Sequence, residues 1–301
     1  MSLVTDALLD HVKKKLAFDV KGYQVIGHGA HNENYLLETS QGKRLLRVYA
    51  NTQFENSEKE YRVLLKLDGF LGPVPYYLDT SRTLLEYDYM VLEYVEGSVI
   101  TEFSDESLVE IASKLRKLHT IKVQNKDPRL SPISEWTSNN IKNNSKRLGE
   151  ELHTELMVLW DRLMKIYYEI EPHITGYDST TLIHDDPILG NFIQTGDGIK
   201  LIDWELAHSN YFFMEVGGFI EENRLTKEQE KTFLDAYGFG STTVEARVLA
   251  FSKAYRVTAI VGWLIERIAH MREGKKVFIA ADQTEYEKNL ASEIEHLRQL
   301  L

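Results

Sequence analysis

From Tyr23 to Ile26 and from Tyr35 to Glu38, apolar and polar positions follow the spacing of half-buried strands. Lys43 to Tyr49 (KRLLRVY) continues the pattern into a third strand. The spacing then turns helical over Glu55 to Leu67, where Tyr61, Leu64, Leu65 and Leu67 are apolar. After a loop at Gly72 to Pro75, Tyr76 to Asp79 and Thr83 to Val95 read as strands, the second running into MVLEYVEG. Beyond Gly97 the pattern is mainly helical. Asp105 to His119 carries Leu108, Ile111, Leu115 and Leu118 on one side with Ser104 or Asp105 as its cap, and Glu151 to Glu169 repeats the spacing with Leu152, Leu156, Leu159, Leu163 and Ile166. Further helices are predicted at Lys227 to Tyr237, Thr243 to Met271 and Asp282 to Leu301. Residues 123–150 are polar and punctuated by proline, which predicts a loop or lid-like insert. The switch from strand to helix periodicity near Gly97 predicts two lobes, residues 1–96 and 97–301.

Composition narrows the class. With 301 residues of which 43% are hydrophobic, the chain can bury a sizeable core. It has no cysteine, so a disulfide framework, a thiolate metal site and a Cys nucleophile are excluded, which fits the cytoplasm. The formal net charge of -11 argues against a nucleic-acid partner, because phosphate backbones are met by basic faces. The first residues, MSLVTDALLDHVKKKLAF, place their lysines after the apolar positions and read as an amphipathic helix, not as a signal peptide. No stretch reaches the roughly 20 apolar residues of a membrane span, so no membrane partner is expected.

The densest chemistry lies in residues 184–205, HDDPILGNFIQTGDGIKLIDWE. His184, Asp186 and Asn191 form HxDxxxxN, and Asp203 follows at the end of the largely apolar run Ile199 to Ile202. Thr195 to Gly198 (TGDG) reads as a hairpin turn between two short strands. Phosphoryl transfer from ATP needs an acceptor hydroxyl oriented and its proton accepted, which suits Asp186, and it needs Mg2+ held against the phosphates. Asn191 and Asp203 offer the hard oxygen ligands that Mg2+ prefers, and Glu205 can support them directly or through water. His184 either braces the loop by hydrogen bonding or takes part in the chemistry, and bracing is the better fit.

HDDPILGNF followed by LIDWE resembles the catalytic and metal-binding loops of the aminoglycoside phosphotransferase and choline kinase superfamily. IDWELAHSNYFFMEVGGFIEEN is similar to the choline and ethanolamine kinase pattern, in which an aromatic and acidic run follows the metal Asp. The resemblance implies an α+β, bilobal protein kinase-like fold with a small N-terminal antiparallel β-sheet lobe holding one main helix, and a larger, mainly helical C-terminal lobe. It implies that Asp186 is the base, that Asn191 and Asp203 bind Mg2+, and that Glu205 fills an acidic position of the family.

The N-terminal stretch supplies the other half of a nucleotide site. GHGAHNEN, residues 27–34, is a glycine-containing turn in which Gly27 and Gly29 permit close approach of the backbone to phosphates. GAHNENYLL resembles the choline kinase loop between the first two strands, with Asn32 and Tyr35 at matching places. Arg47 occupies the position where kinases of this fold keep a basic residue against the nucleotide phosphates, and an acid of the next helix, Glu60 or less favourably Glu58, is its expected partner. Glu93, Tyr94 and Val95 are the expected main-chain contacts of the adenine edge, while Met90 either borders that pocket or fills the core.

For the acceptor, the likeness to choline kinases implies an ammonium held among aromatic faces and acids. Trp204, Tyr211, Glu215 and Trp263 are the candidates, with Phe212, Phe213 and Tyr255 among further aromatics. The late helix offers only Trp263 where eukaryotic choline kinases show two Trp separated by two residues. The expected activity is transfer of the ATP γ-phosphate to a hydroxyl of a small, cationic metabolite such as choline or ethanolamine. Aminoglycosides, thiamine and other small alcohols are the alternative acceptors. The intact Asp186, Asn191 and Asp203 set argues against a pseudokinase, and IDWE in place of DFG, with no APE-type sequence in the next thirty residues, argues against a protein kinase.

Overall fold

The computed structural model describes residues 3–28, 32–50, 57–123, 133–275 and 282–301. In chain order the elements are α1 (Asp6–Leu16), β1 (Val20–His28), β2 (Glu33–Thr39), β3 (Gly42–Val48), α2 (Ser57–Leu67), β4 (Pro75–Asp79), β5 (Tyr89–Glu93) and β6 (Ser98–Val99). Then come α3 (Asp105–Leu118), α4 (Glu135–Lys142), α5 (Glu150–Ile174), β7 (Thr181–Ile183), β8 (Phe192–Thr195), β9 (Gly198–Leu201) and β10 (His208–Asn210). The chain ends in α6 (Phe212–Glu222), α7 (Lys227–Tyr237), α8 (Thr243–Arg272) and α9 (Gln283–Leu300).

These elements form two compact units: one of residues 1–101 with 189–207, the other of 102–188 with 208–301. In the first, an antiparallel sheet of order β1-β2-β3-β5-β4 is built on the predicted alternation. Tyr35, Leu37, Leu46, Val48, Tyr89 and Val91 pack in one apolar cluster with Leu8 and Val12 of α1. A second, three-stranded sheet of order β6-β8-β9 joins the 189–207 segment to this unit, with Val99 opposite Ile193 and Phe192 opposite Leu201. That pairing leaves no room for a side chain at Gly97, where a Cβ would lie 2.2 Å from the Gln194 carbonyl oxygen.

The second unit is mainly helical, and α8 is its hub. Buried side chains surround α8, from Val248 and Phe251 to Ile265 and Ile268, because α4, α5, α6 and α9 all pack on it. Its length and mean hydropathy suffice for a membrane span by composition alone, and 61% of the apolar window is buried inside the unit. Helix α6 approaches α8 closely at Gly217, where a Cβ would sit 2.2 Å from Ser252 Oγ.

Two expectations are corrected. The strand predicted over Thr83 to Val95 is confined to β5, because Asp79 accepts hydrogen bonds from Ser81 and Asp88 accepts one from Arg82, which winds the intervening chain into turns. The insert predicted as a loop over 123–150 is helical in its described part, with α4 capped by Ser134 and a 3-10 turn at Asn144–Leu148; residues 124–132 lie outside the described residues.

Candidate active site

Strand β7 carries the chain into the HxD motif, and β10 flanks it with His208 opposite Ile183. His184 is fully buried, and its Nδ1 accepts a hydrogen bond from the Asp186 backbone N–H at 3.2 Å. An accepting Nδ1 leaves the imidazole proton on Nε2, so His184 braces the loop. Asp185 takes a left-handed backbone conformation, φ 69°, and Ile188 N donates to the Asp186 carbonyl at 2.9 Å to close the turn. Asp186 is half-buried.

Glu215 of α6, expected to meet the substrate, does something else. It is 2% exposed, and its Oε1 accepts the backbone N–H groups of His184 at 2.6 Å and Asp185 at 3.0 Å. Its Oε2 lies 2.7 Å from His119 Nε2, and His119 Nδ1 lies 2.7 Å from the Tyr237 hydroxyl. Burial works against ionisation of Glu215, but the hydrogen bond and charge of His119 outweigh it and hold the carboxyl below its usual range. With all its oxygens engaged and no solvent access, Glu215 is a clamp on the HxD loop.

The other half of the motif lies in the first unit. A 3-10 turn at Leu189–Asn191 leads into β8, and the Asn191 carbonyl accepts the Ile202 N–H at 2.9 Å, so Asn191 and the residue before Asp203 are hydrogen-bonded neighbours. Asp203 is left-handed at φ 68° and half-exposed. Arg47 Nη1 donates to Asp203 Oδ1 at 3.1 Å and to Glu60 Oε1 at 2.8 Å, while its Nε reaches Asn34 Oδ1 at 3.3 Å. Glu60 Oε2 accepts from the Tyr49 hydroxyl at 2.7 Å. Burial opposes the charge on Arg47, but Glu60 and Asp203 raise its pKa above the usual value. Glu58, the alternative acid, instead pairs with Arg62 on the helix surface at 2.8 Å.

Glu205 accepts from Asn32 Nδ2 at 2.7 Å. Burial first, then the neighbouring Asp203 carboxylate, push Glu205 up to about 7. Asn191, Asp203 and Glu205 thus provide one amide and two carboxylates, all hard oxygen donors of the kind Mg2+ accepts, with a charge that a cation would relieve. Among the described residues no group of three or more His, Cys, Asp or Glu could hold an ion unaided, so nucleotide phosphates and water would have to complete a coordination shell.

The remaining expected contacts divide. Gly27 sits in β1 opposite Asn34, and Gly29 lies outside the described residues. Glu93 ends β5 with its N–H bonded to the Val74 carbonyl at 2.8 Å and its carboxylate on Lys200 at 2.7 Å, so that N–H is engaged within the protein, whereas Tyr94 and Val95 lie just past the strand end. Met90 is fully buried and belongs to the core. Trp204 is fully buried too, its Nε1 donating to the Leu201 carbonyl at 2.7 Å under Gly72, which removes it from any substrate surface. Trp263 is partly buried, edge-on to Tyr286 at 5.8 Å, with Arg267 over its ring. Tyr211 is half-buried and stacks on Phe213 at 5.1 Å.

Residues 22–251 match the model of the phosphotransferase enzyme family. The chain is 34% identical over 102 residues to a protein LicA homolog of Metamycoplasma hominis, an alignment covering 34% of this chain and 40% of the relative. It is 27% identical over 174 residues to thiamine kinase of Escherichia coli O1:K1, covering 55% of this chain and 53% of the relative. The chain therefore spans about half the length of these curated relatives or less. Among solved structures, choline kinase LicA from Streptococcus pneumoniae superposes with a TM-score of 0.63 at 19% identity, covering 97% of this chain and 100% of the other, and LicA has also been solved in complex with AMP. The agreement extends over nearly the whole chain and establishes the α+β kinase-like fold expected from the motif.

Proposed function

The chain belongs to the phosphotransferase enzyme family, and within it we propose that the protein transfers the γ-phosphate of ATP to a hydroxyl of a small cationic alcohol such as choline or ethanolamine. The observation that carries this reading is Arg47, a buried cation held between Glu60 and Asp203. Such a bridge fixes a carboxylate and a guanidinium in one arrangement, and phosphoryl transfer depends on positioning and charge stabilisation more than on covalent chemistry. Asn191 and Asp203 would hold Mg2+, with Glu205 behind them, and the ion would neutralise charge on the phosphates. Arg47 and Asn32 face the nucleotide phosphates, and Tyr94 and Val95 take the adenine edge. Asp186 orients the acceptor hydroxyl and accepts its proton, on a loop that Glu215 and His184 keep rigid.

The cationic acceptor rests on the similarity to a LicA homolog and to thiamine kinase, because Asp185 and Glu222, the acids nearest Asp186, are already paired with Arg256. The similarity to a thiamine kinase favours a second reading on the same scaffold, in which thiamine, also a cationic alcohol, is the acceptor. A cytoplasmic setting, where ATP is regenerated, goes with either.

ATP-coupled turnover against choline, ethanolamine, thiamine and aminoglycosides tests the proposal. Asp186→Asn is expected to lower kcat by about 10²- to 10⁴-fold on the preferred acceptor. Undiminished turnover in that variant would remove Asp186 from the base role, and no turnover of wild type on any acceptor would sink the proposal.

A further inference from the structure

Arg256 reaches the catalytic loop from the middle of α8, 71 residues away in sequence from Asp185. Its side chain is 16% exposed. Nη2 donates to the Asp185 backbone carbonyl at 2.6 Å, and Nη1 donates to Asp185 Oδ1 at 3.1 Å. A third acceptor, Glu222 Oε1 at the end of α6, also bonds Nη2. The guanidinium therefore lies among three carboxylates of its own unit, since Asp186 as well as Asp185 and Glu222 acts on its charge.

The grip falls on one particular peptide. A left-handed backbone is disfavoured at a non-glycine residue, and the surroundings of Asp185 help to hold it at φ 69°. Its N–H is taken by Glu215, its carbonyl and carboxylate by Arg256. That carbonyl belongs to the peptide joining Asp185 to Asp186, and the N–H of the same peptide donates to His184 Nδ1. The plane from which the Asp186 side chain departs is thus fastened at both ends.

We propose that Arg256 is a positioning residue for Asp186, acting through the Asp185–Asp186 peptide, and that Glu222 holds the guanidinium in register. The proposal rests on Asp186 being the base that the preceding section assigns. A base must stand within hydrogen-bond reach of its proton, and a misplacement of about 1 Å costs on the order of 10²-fold. Loss of the grip therefore reaches kcat without touching the contacts that bind either substrate.

The test uses the full-length chain and two variants, Arg256→Gln and Arg256→Lys. The second keeps the positive charge among the acids but lacks the planar fork. Hydrogen exchange of the peptides covering 182–190 is read without any substrate, and turnover is read with MgATP and the best of choline, ethanolamine and thiamine. In Arg256→Gln, exchange at Asp185, Asp186 and Ile188 should accelerate while that of α5 and α9 stays as in wild type. Its kcat should fall by about 10- to 100-fold with both KM values within about two-fold of wild type. Arg256→Lys should recover part of both. Unchanged exchange across 184–188 overturns the proposal, as does faster exchange with an undiminished kcat, or a loss carried by KM. If wild type turns over none of the acceptors, the kinase reading fails, and the exchange measurement alone decides whether Arg256 holds the loop.

Discussion

Glu215→Gln separates two roles that the position could have. A substrate-binding carboxylate would contact the cation of the acceptor; the structure instead gives Glu215 three protein partners, the His184 and Asp185 backbone N–H groups and His119 Nε2. Glutamine is nearly isosteric and keeps one carbonyl oxygen for the two backbone donors, while its amide group faces His119. The substitution thus converts hydrogen bonds to a charged acceptor, worth about 1.5 to 3 kcal/mol, into neutral ones worth about 0.5 to 1.5 kcal/mol. The difference is about 1 kcal/mol per bond, or about 3 kcal/mol over the three. For a unit of this size each kcal/mol moves the melting temperature by about 2 to 4 °C, so a drop of about 6 to 12 °C is expected.

The pH dependence carries a sign of its own. Glu215 is depressed in the folded state, so it binds fewer protons there than when unfolded. Its stabilisation is present above the unfolded value of 4.5 and is lost as pH falls through the lower folded value. Glu215→Gln should therefore differ most from wild type at pH 7, and the gap between the two melting temperatures should narrow as pH falls below 4.5. The assay is a thermal melt followed by circular dichroism across pH 3.5 to 7.5, paired with KM for a cationic acceptor. A melting temperature within about 2 °C of wild type at pH 7, together with a raised KM, would refute the clamp and return Glu215 to the substrate.

Three further outcomes follow from the first unit. Glu60→Gln leaves Arg47 buried without its main counter-ion, and breaking such a pair costs about 3 to 5 kcal/mol; the Asp203 contact makes the lower end the expected value, and a urea-unfolding change under about 1 kcal/mol would contradict the network. Glu205, pushed up to about 7, favours its neutral form in the fold, so its contribution is complete below 4.5 and is lost as pH rises through about 7. Glu205→Gln is accordingly expected to raise the melting temperature at pH 8 and not at pH 4.5, and an equal effect at both pH values would exclude the shift. Asp203→Asn should abolish the melting shift produced by MgATP while leaving the fold intact, and a retained shift would remove Asp203 from the metal site.

What the sequence reveals and what it hides divide along one physical line. Strand alternation is local and survives folding: apart from the one drawn out from Thr83, the sheet strands fall near their predicted places, and the predicted hairpin sets Asn191 beside the residue before Asp203. The direction in which a side chain points is not local. Helical spacing favours Glu60 over Glu58 without excluding either; the choice is made by the surface cation at Arg62 and the buried one at Arg47. Trp204 follows Asp203 directly and reads as a ligand contact, yet the space above it is closed by Gly72, more than a hundred residues earlier. Glu215 is the sharpest case, because a clamp and a substrate contact both require nothing more in sequence than an acid near aromatic residues. What distinguishes them is a set of three buried donors contributed by His184, Asp185 and His119, the last of them 96 residues upstream. The same holds for Arg256, whose acceptors lie on two other segments. In this chain the candidate chemical groups are spaced closely enough to be read as a motif, while the groups that hold them in place are gathered by packing and carry no spacing at all.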